Sequence, residues 1–371
     1  MNKQGVRAIM IFFALLAFFQ LFQQLFHPIK LAGLQGAFDK GEKPVLTSSA
    51  WFEGKYQQRT DHYLKYNTAF NGDLVRIRNQ VDYSLFGKIN TILTLGKENF
   101  IFDPNYILAR AGKDLLKDSA FAVKSRVVNK TLNFFSNTKI PVYICYAPNK
   151  ANYYSEYLPE KTIAGKLTNR MLIDSLVKHA GIKTFDFDSW FLSIKDTSAY
   201  PLVPKYGAHW TTYGAFLAMD SLIKQMNKDS DEQLAGFTIQ NIELSDKAKF
   251  TDDDYLASLN LMIKWKSPAM AYPKLKFNPG KKPDALIISD SFIWSFYDLE
   301  IIQNCFSSKT ELRYYNKTLF NHSKNNLGPA PVISSDDLTK YEYIIILTSD
   351  PGLLDFGYGF FEATAEAVKN D

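Results

Sequence analysis

A hydroxyl that acts as a nucleophile needs a fixed position, a neighbouring base, and donors for the charge that develops on its target. The stretch Ala285-Leu286-Ile287-Ile288-Ser289-Asp290-Ser291-Phe292 meets the first of these needs. Four consecutive apolar residues, two of them isoleucine, predict a short strand buried on both faces. The run stops at Ser-Asp-Ser, and Phe292 to Phe296 continues with helix-compatible spacing. A strand, a tight turn and a helix N-terminus therefore meet at Ser291. That turn lifts the hydroxyl off the sheet and sets it beside unpaired helix N–H groups. The same residues also have a plainer reading, in which Asp290 or Ser291 only caps the helix.

Imidazole is the usual base near neutral pH, and the chain has five histidines to choose from. His27 lies at the end of an apolar N-terminal run. His62 follows Asp61 in a helical stretch, His179 occupies the last turn of a helix, and His322 sits in an Asn-rich loop. His209 stands apart, in Tyr206-Gly207-Ala208-His209-Trp210-Thr211-Thr212-Tyr213-Gly214, just ahead of an apolar helix that Thr211 or Thr212 can cap. A tryptophan next to it restricts the ring. By itself it is equally a packed surface histidine.

The elements that must bring these two residues together read as alternating strands and helices, which predicts an α/β fold with a parallel sheet covered on both faces. Expected helices are centred on Phe121 to Phe135, on Leu167 to His179 and on Thr212 to Met226. Expected strands are Ile140 to Ala147, Ile182 to Phe187, Ala285 to Ser289, Glu311 to Tyr315 and Tyr343 to Leu347. Residues 229–282 break the alternation; they are polar and irregular and read as an insertion. Upstream, Thr91 to Leu95 should pair with Phe100-Ile101 across a turn at Gly96 to Asn99, and Trp51 to Leu85 forms one or two helices.

Composition narrows the class. The 371 residues leave room for one large domain and an appendage, and 22% charged against 46% hydrophobic residues argue against disorder. A net charge of +5 with no long basic run gives no support for a nucleic-acid partner. The two cysteines, Cys145 and Cys305, fall in apolar segments and read as small core residues. No Cys/His set has zinc spacing, and no other feature asks for a metal or cofactor.

Ala8 to Phe19 carries no polar side chain, and apolar character persists to Phe26. Nineteen residues of helix span about 28 Å, enough for a bilayer core. Lys3 and Arg7 precede the run, which favours a cytoplasmic N-terminus and an exported remainder. An uncleaved single-pass anchor is the expectation. Gly36-Ala37 is a weak processing site, separated from the apolar run by His27-Pro28-Ile29-Lys30. The expected organisation is an anchor over 1–30, a linker (polar from Asp39 to Ser49) and helical extension over 31–88, and one domain over 89–371.

Taken together, His-Trp-Thr-x-x-Gly at His209 to Gly214 and a later strand ending in Ser-Asp-Ser-Phe resemble the SGNH-hydrolase-like polysaccharide O-acetyltransferases of the alginate acetylation type. Trp51-Phe52-Glu53-Gly54-Lys55-Tyr56-Gln57, Ala147-Pro148-Asn149-Lys150 and Tyr157-Leu158-Pro159 extend the resemblance over most of the chain from about residue 50. It implies a three-layer SGNH-like fold, circularly permuted because the histidine precedes the serine. It further implies Ser291 as nucleophile and His209 as base. A cell-surface or secreted polysaccharide would be the substrate, a polytopic membrane O-acyltransferase would be the partner delivering the acetyl group, and the setting would be the periplasmic side of the inner membrane.

Two departures stand out. The family glycine before Asp-Ser is Ser289 here, and the family aspartate two residues before the histidine is Gly207, with Tyr206 one further back. Neither residue orients an imidazole as a carboxylate does. A backbone carbonyl, Asp186 or Asp188 would have to do so, with Asp188 the chosen acid, or else catalysis is weak or lost. Support and oxyanion donors are sought at strand ends: Asp290, the Ser291 N–H, Asn149, Lys150 and Ser349. The rival expectations are a non-catalytic binding or scaffold subunit of an export complex, and a carbohydrate esterase.

Overall fold

Strands buried on both faces must lie at the centre of a sheet, and that is where the three most apolar runs are found. The computed structural model describes residues 3–36, 40–159 and 162–368. Ala37 and Asp39, at the weak processing site and the start of the expected linker, lie outside the described residues. A seven-stranded sheet runs in the order 326–329, 318–321, 311–314, 285–289, 343–348, 142–146, 183–186. The five strands from Glu311–Tyr314 through Lys183–Asp186 are parallel, and the two at the other edge are antiparallel additions.

Register explains the two-sided core. Ile345 pairs with Ile287 and Tyr143, and these three with Cys145 and Leu347 face one hydrophobic cluster. Their neighbours Ile344, Ile346, Leu286, Ile288, Val142 and Ile144 face the other. Successive side chains in a strand point to opposite faces, so an unbroken apolar run feeds both layers. The first cluster is closed by the Thr212–Asp229 helix through Met219, Leu222 and Met226, and the second by the Asp118–Thr138 helix through Val128, Leu132 and Phe135. Cys145 and Cys305 are both buried and unpaired, as core residues.

The chain separates into two compact units, Met1–Thr91 with Tyr255–Trp265, and Ile92–Asp254 with Lys266–Asp371. The first unit is helical. The Lys3–Phe26 helix is long and apolar enough to cross a membrane, and its large side chains are exposed around it. Gln24 Oε1 accepts from the Ala69 N–H at 2.7 Å, and Phe19 stacks on Phe70. Three helices follow, Ser48–Phe52, Lys55–Asn67 and Asn71–Phe86, where one or two were expected. The Asn79 amide donates to Leu259 O at 2.9 Å, so residues 255–265 join this unit rather than a simple insertion in the other.

Two expectations need correction. The short hairpin pairs Thr94 with Phe102 and Leu95 with Ile101, shifted from the expected strands. Residues 229–282 are not irregular. Gly236–Ser245 and Met270–Asn278 form a long antiparallel pair. A register shift between Ile239 and Asn241 interrupts the alternation of apolar residues, and Pro273 sits inside the second strand. A bulge and an internal proline both mask a period-two pattern.

Candidate active site

The parallel strands 285–289 and 343–348 end side by side, and the turn after the first carries Ser291. Asp290 fixes that turn. Its Oδ1 accepts from Phe292 N–H at 3.1 Å, and its Oδ2 accepts from Ser349 N–H at 2.8 Å and from the Tyr358 hydroxyl at 2.9 Å. The backbone then makes a single 3-10 turn, Ser291–Ile293, before the short helix Trp294–Asp298. Asp290 is thus a cap, as the plainer reading has it, while the Ser291 side chain is left to face elsewhere.

His209 arrives from a loop that is held at several points. Thr211 N–H donates to Leu202 O, and the Thr211 hydroxyl bonds Pro201 O at 2.7 Å while accepting from Gly214 N–H at 3.0 Å, capping the helix it starts. Gly214 has no side chain because a Cβ there would lie 2.5 Å from Leu202 O. Trp210 is fully buried against Phe187, Phe292 and Phe296, and the His209 ring packs edge-on to Phe292 at 4.9 Å. Lys150 Nζ donates to Lys205 O and Gly207 O, each at 2.8 Å. Burial pushes its ammonium down to about 7, opposed by the charge of Asp254.

The result is a contact between residues 82 positions apart: His209 Nε2 and Ser291 Oγ lie 2.7 Å apart. For Nε2 to accept the serine proton, the ring proton must sit on Nδ1. That nitrogen is buried and has no aligned hydrogen bond, and Asp254 Oδ2 lies 3.5 Å from it. Asp254 Oδ1 accepts from the Ala208 N–H at 2.8 Å. Nearby Asp252 is buried with Oδ2 unpartnered, and burial raises its carboxyl to about 7 despite the attraction of His209.

The remaining expected site residues are arranged differently. Asp188 does not reach His209. Its Oδ1 accepts from Asn149 N–H at 2.6 Å and its Oδ2 from the Asn152 amide at 2.8 Å. Burial raises its carboxyl, and Arg170 opposes that shift. Asp186 is likewise committed, to Arg170 and to Ser189 at the start of a helix. The Asn149 amide donates to Asp350 at 2.7 Å and to Tyr106 O at 3.1 Å, so Asn149 braces strand ends instead of facing Ser291. Ser349 gives its N–H to Asp290, and Lys150 gives its ammonium protons to the histidine loop. These are supports. Ser289 is fully buried and its hydroxyl bonds Asp290 O, so the family glycine position is filled without reaching solvent.

Two residues near the serine–histidine pair escape a reading of the sequence. Asp254 lies in the segment taken as irregular, and its only local sign is the run Thr251-Asp252-Asp253-Asp254. Tyr315 follows the Glu311–Tyr314 strand with a left-handed φ of 50°, its N–H donating to Ser289 O at 2.8 Å. Burial and the charge of Asp290 raise its phenol to about 12, against the pull of the Ser291 side chain and N–H. The phenol is therefore neutral at ordinary pH.

A hydroxyl on a base, at the ends of parallel strands in an α/β sheet, is an arrangement suited to acyl transfer through a serine. No family model matches the chain, and no curated protein matches it. Among solved structures it is similar to the O-acetyltransferase domain of Pseudomonas putida AlgJ, at 12% identity over 74% of this chain and 98% of that one, with a TM-score of 0.46. It is also similar to Bacillus cereus PatB1, at 13% identity over 73% of this chain and 100% of that one, TM-score 0.45. Pseudomonas aeruginosa AlgX shares 12% identity over 71% of this chain and 67% of that one, TM-score 0.43. Likeness at this level assigns no role to any residue.

Proposed function

We propose that the chain is a serine-dependent O-acyltransferase that passes an acetyl group to hydroxyls of a polysaccharide outside the cytoplasmic membrane. The observation that carries this reading is the 2.7 Å contact between Ser291 Oγ and His209 Nε2. In the first half-reaction His209 takes the Ser291 proton as Oγ bonds to the acyl carbon, and the same proton passes to the donor's leaving group as its bond breaks. In the second, a sugar hydroxyl gives its proton to His209 and attacks the acyl-serine, and Ser291 recovers a proton as it leaves. The Ser291 N–H and the Tyr315 phenol are the proposed donors to the carbonyl oxygen in both steps.

The polysaccharide and the periplasmic setting rest on the sequence resemblance together with the Lys3–Phe26 helix, whose apolar run from Ala8 follows Lys3 and Arg7. A polytopic membrane O-acyltransferase is the proposed source of the acetyl group, as the sequence resemblance implies. The test is made in the producing cell. Ser291→Ala should remove O-acetyl groups from the envelope or secreted polysaccharide while the protein stays at its normal level, and Ser289→Ala should leave them. Acetylation retained in Ser291→Ala would exclude the acyl-serine route and leave a binding or scaffold role.

A further inference from the structure

We infer that Asp254 is the carboxylate that orients His209 and faces its charge, taking over from a position two residues before the histidine that this chain cannot use. The inference rests on the serine–histidine reading above. Three observations carry it. The first is proximity: Asp254 Oδ2 lies 3.5 Å from His209 Nδ1, the ring atom opposite the serine, and that nitrogen has no aligned partner. Bonds of this kind are often long before substrate binds and tighten in the reacting complex.

The second observation is that Asp254 is itself held in place. Its other oxygen accepts from the N–H of Ala208, the residue just before the histidine, at 2.8 Å. One carboxylate therefore spans the backbone and the ring of the same loop, which fixes the ring's tautomer as well as its angle.

The third is steric. A Cβ on residue 207 would lie 2.5 Å from Thr251 O and 2.9 Å from the Asp252 carbonyl carbon, both of them backbone. No side chain fits there, so no aspartate can sit two residues ahead of His209. The segment that fills this space is the one that delivers Asp254. The backbone that excludes a side chain at 207 is thus the same segment that presents a carboxylate at 254, and Asp188 and Asp252 are placed otherwise. Asp188 is taken up by Asn149 and Asn152, while Asp254 rather than Asp252 is the carboxylate within ion-pair distance of the ring.

The test uses the full chain in detergent with 4-nitrophenyl acetate as acyl donor. Asp254→Asn keeps an oxygen for the Ala208 N–H but removes the charge and offers the ring a donor. It should lower kcat by about a hundredfold or more with KM and thermal midpoint unchanged. Asp254→Glu should recover at least about tenfold of that loss. Asp252→Asn should stay within about threefold of the wild type. The inference is overturned if Asp254→Asn also stays within threefold while Ser291→Ala is inactive, a result that leaves the serine–histidine reading intact. It is overturned as well if Asp252→Asn is the variant that loses activity. An active Ser291→Ala defeats the underlying reading instead. Should Asp254→Asn unfold, the glutamate variant decides, and a native midpoint with no activity counts against Asp254.

Discussion

Thr251 O occupies the space where a side chain on Gly207 would begin, 2.5 Å from an ideal Cβ. Placing an aspartate at this position, as in the family the sequence resembles, should therefore harm the protein. Gly207→Asp and Gly207→Ala are both expected to lose roughly 1–3 kcal/mol by overpacking against backbone. Denaturant titration of the full chain measures the loss. A Gly207→Asp protein as stable as the wild type and more active would show that the 251–254 segment yields, and with it the steric part of the Asp254 account.

Tyr315 follows the strand that pairs with Ala285–Ser289, and the proposed reaction uses its phenol as an oxyanion donor. As an oxyanion donor it acts on the transition state more than on bound substrate, so Tyr315→Phe should lower kcat by about ten- to a hundredfold with little change in KM. Loss of a hydroxyl from this exposed side chain should move the thermal midpoint little. A raised KM with unchanged kcat would make Tyr315 a substrate-binding residue instead.

Burial raises Asp252 from an ordinary value of 3.8 to about 7 in the folded chain. Folded protein then holds a proton that unfolded protein releases across this interval. The group's favourable share of stability is complete below about pH 4 and is lost as pH rises through about 7. Asp252→Asn should accordingly be more stable than wild type at pH 8, by on the order of 1–3 kcal/mol, with the difference vanishing near pH 4. Equal stabilities at pH 8 would mean that Asp252 carries its charge in the folded state without penalty.

The legible parts of the sequence were those where one local signal sufficed. Ala285 to Ser289 and Tyr343 to Leu347 announce central strands because parallel strands buried on both faces need unbroken apolar runs. The Ser291 turn and the Thr211 cap are written within four or five residues. The proposed orienting acid is not legible in the sequence, because Asp254 meets His209 through a contact spanning 45 positions (254 − 209) and no periodicity marks it. The hairpin beside it was hidden by the shift at Ile239/Asn241 and by Pro273. Asp188 looked suitable because it follows a strand, yet its hydrogen bonds go to Asn149 and Asn152. Position along a sheet edge says little about which way a side chain faces.

Lys3 and Arg7, in the first turns of the Lys3–Phe26 helix, place the rest of the chain outside the cytoplasm in this account. A reporter active only in the periplasm, fused at the C-terminus, should be active. Activity from a cytoplasm-restricted reporter in its place would remove both the localisation and the polysaccharide substrate.

The central claim is that Ser291 carries the acyl group, and it is tested most directly by trapping that intermediate. Full-length protein mixed briefly with 4-nitrophenyl acetate, quenched in acid and digested should show one added acetyl group on the peptide containing Ser291. The adduct should be missing in Ser291→Ala and greatly reduced in His209→Ala. Acetylation of another residue, or none on Ser291 under conditions where ester is consumed, would contradict the account.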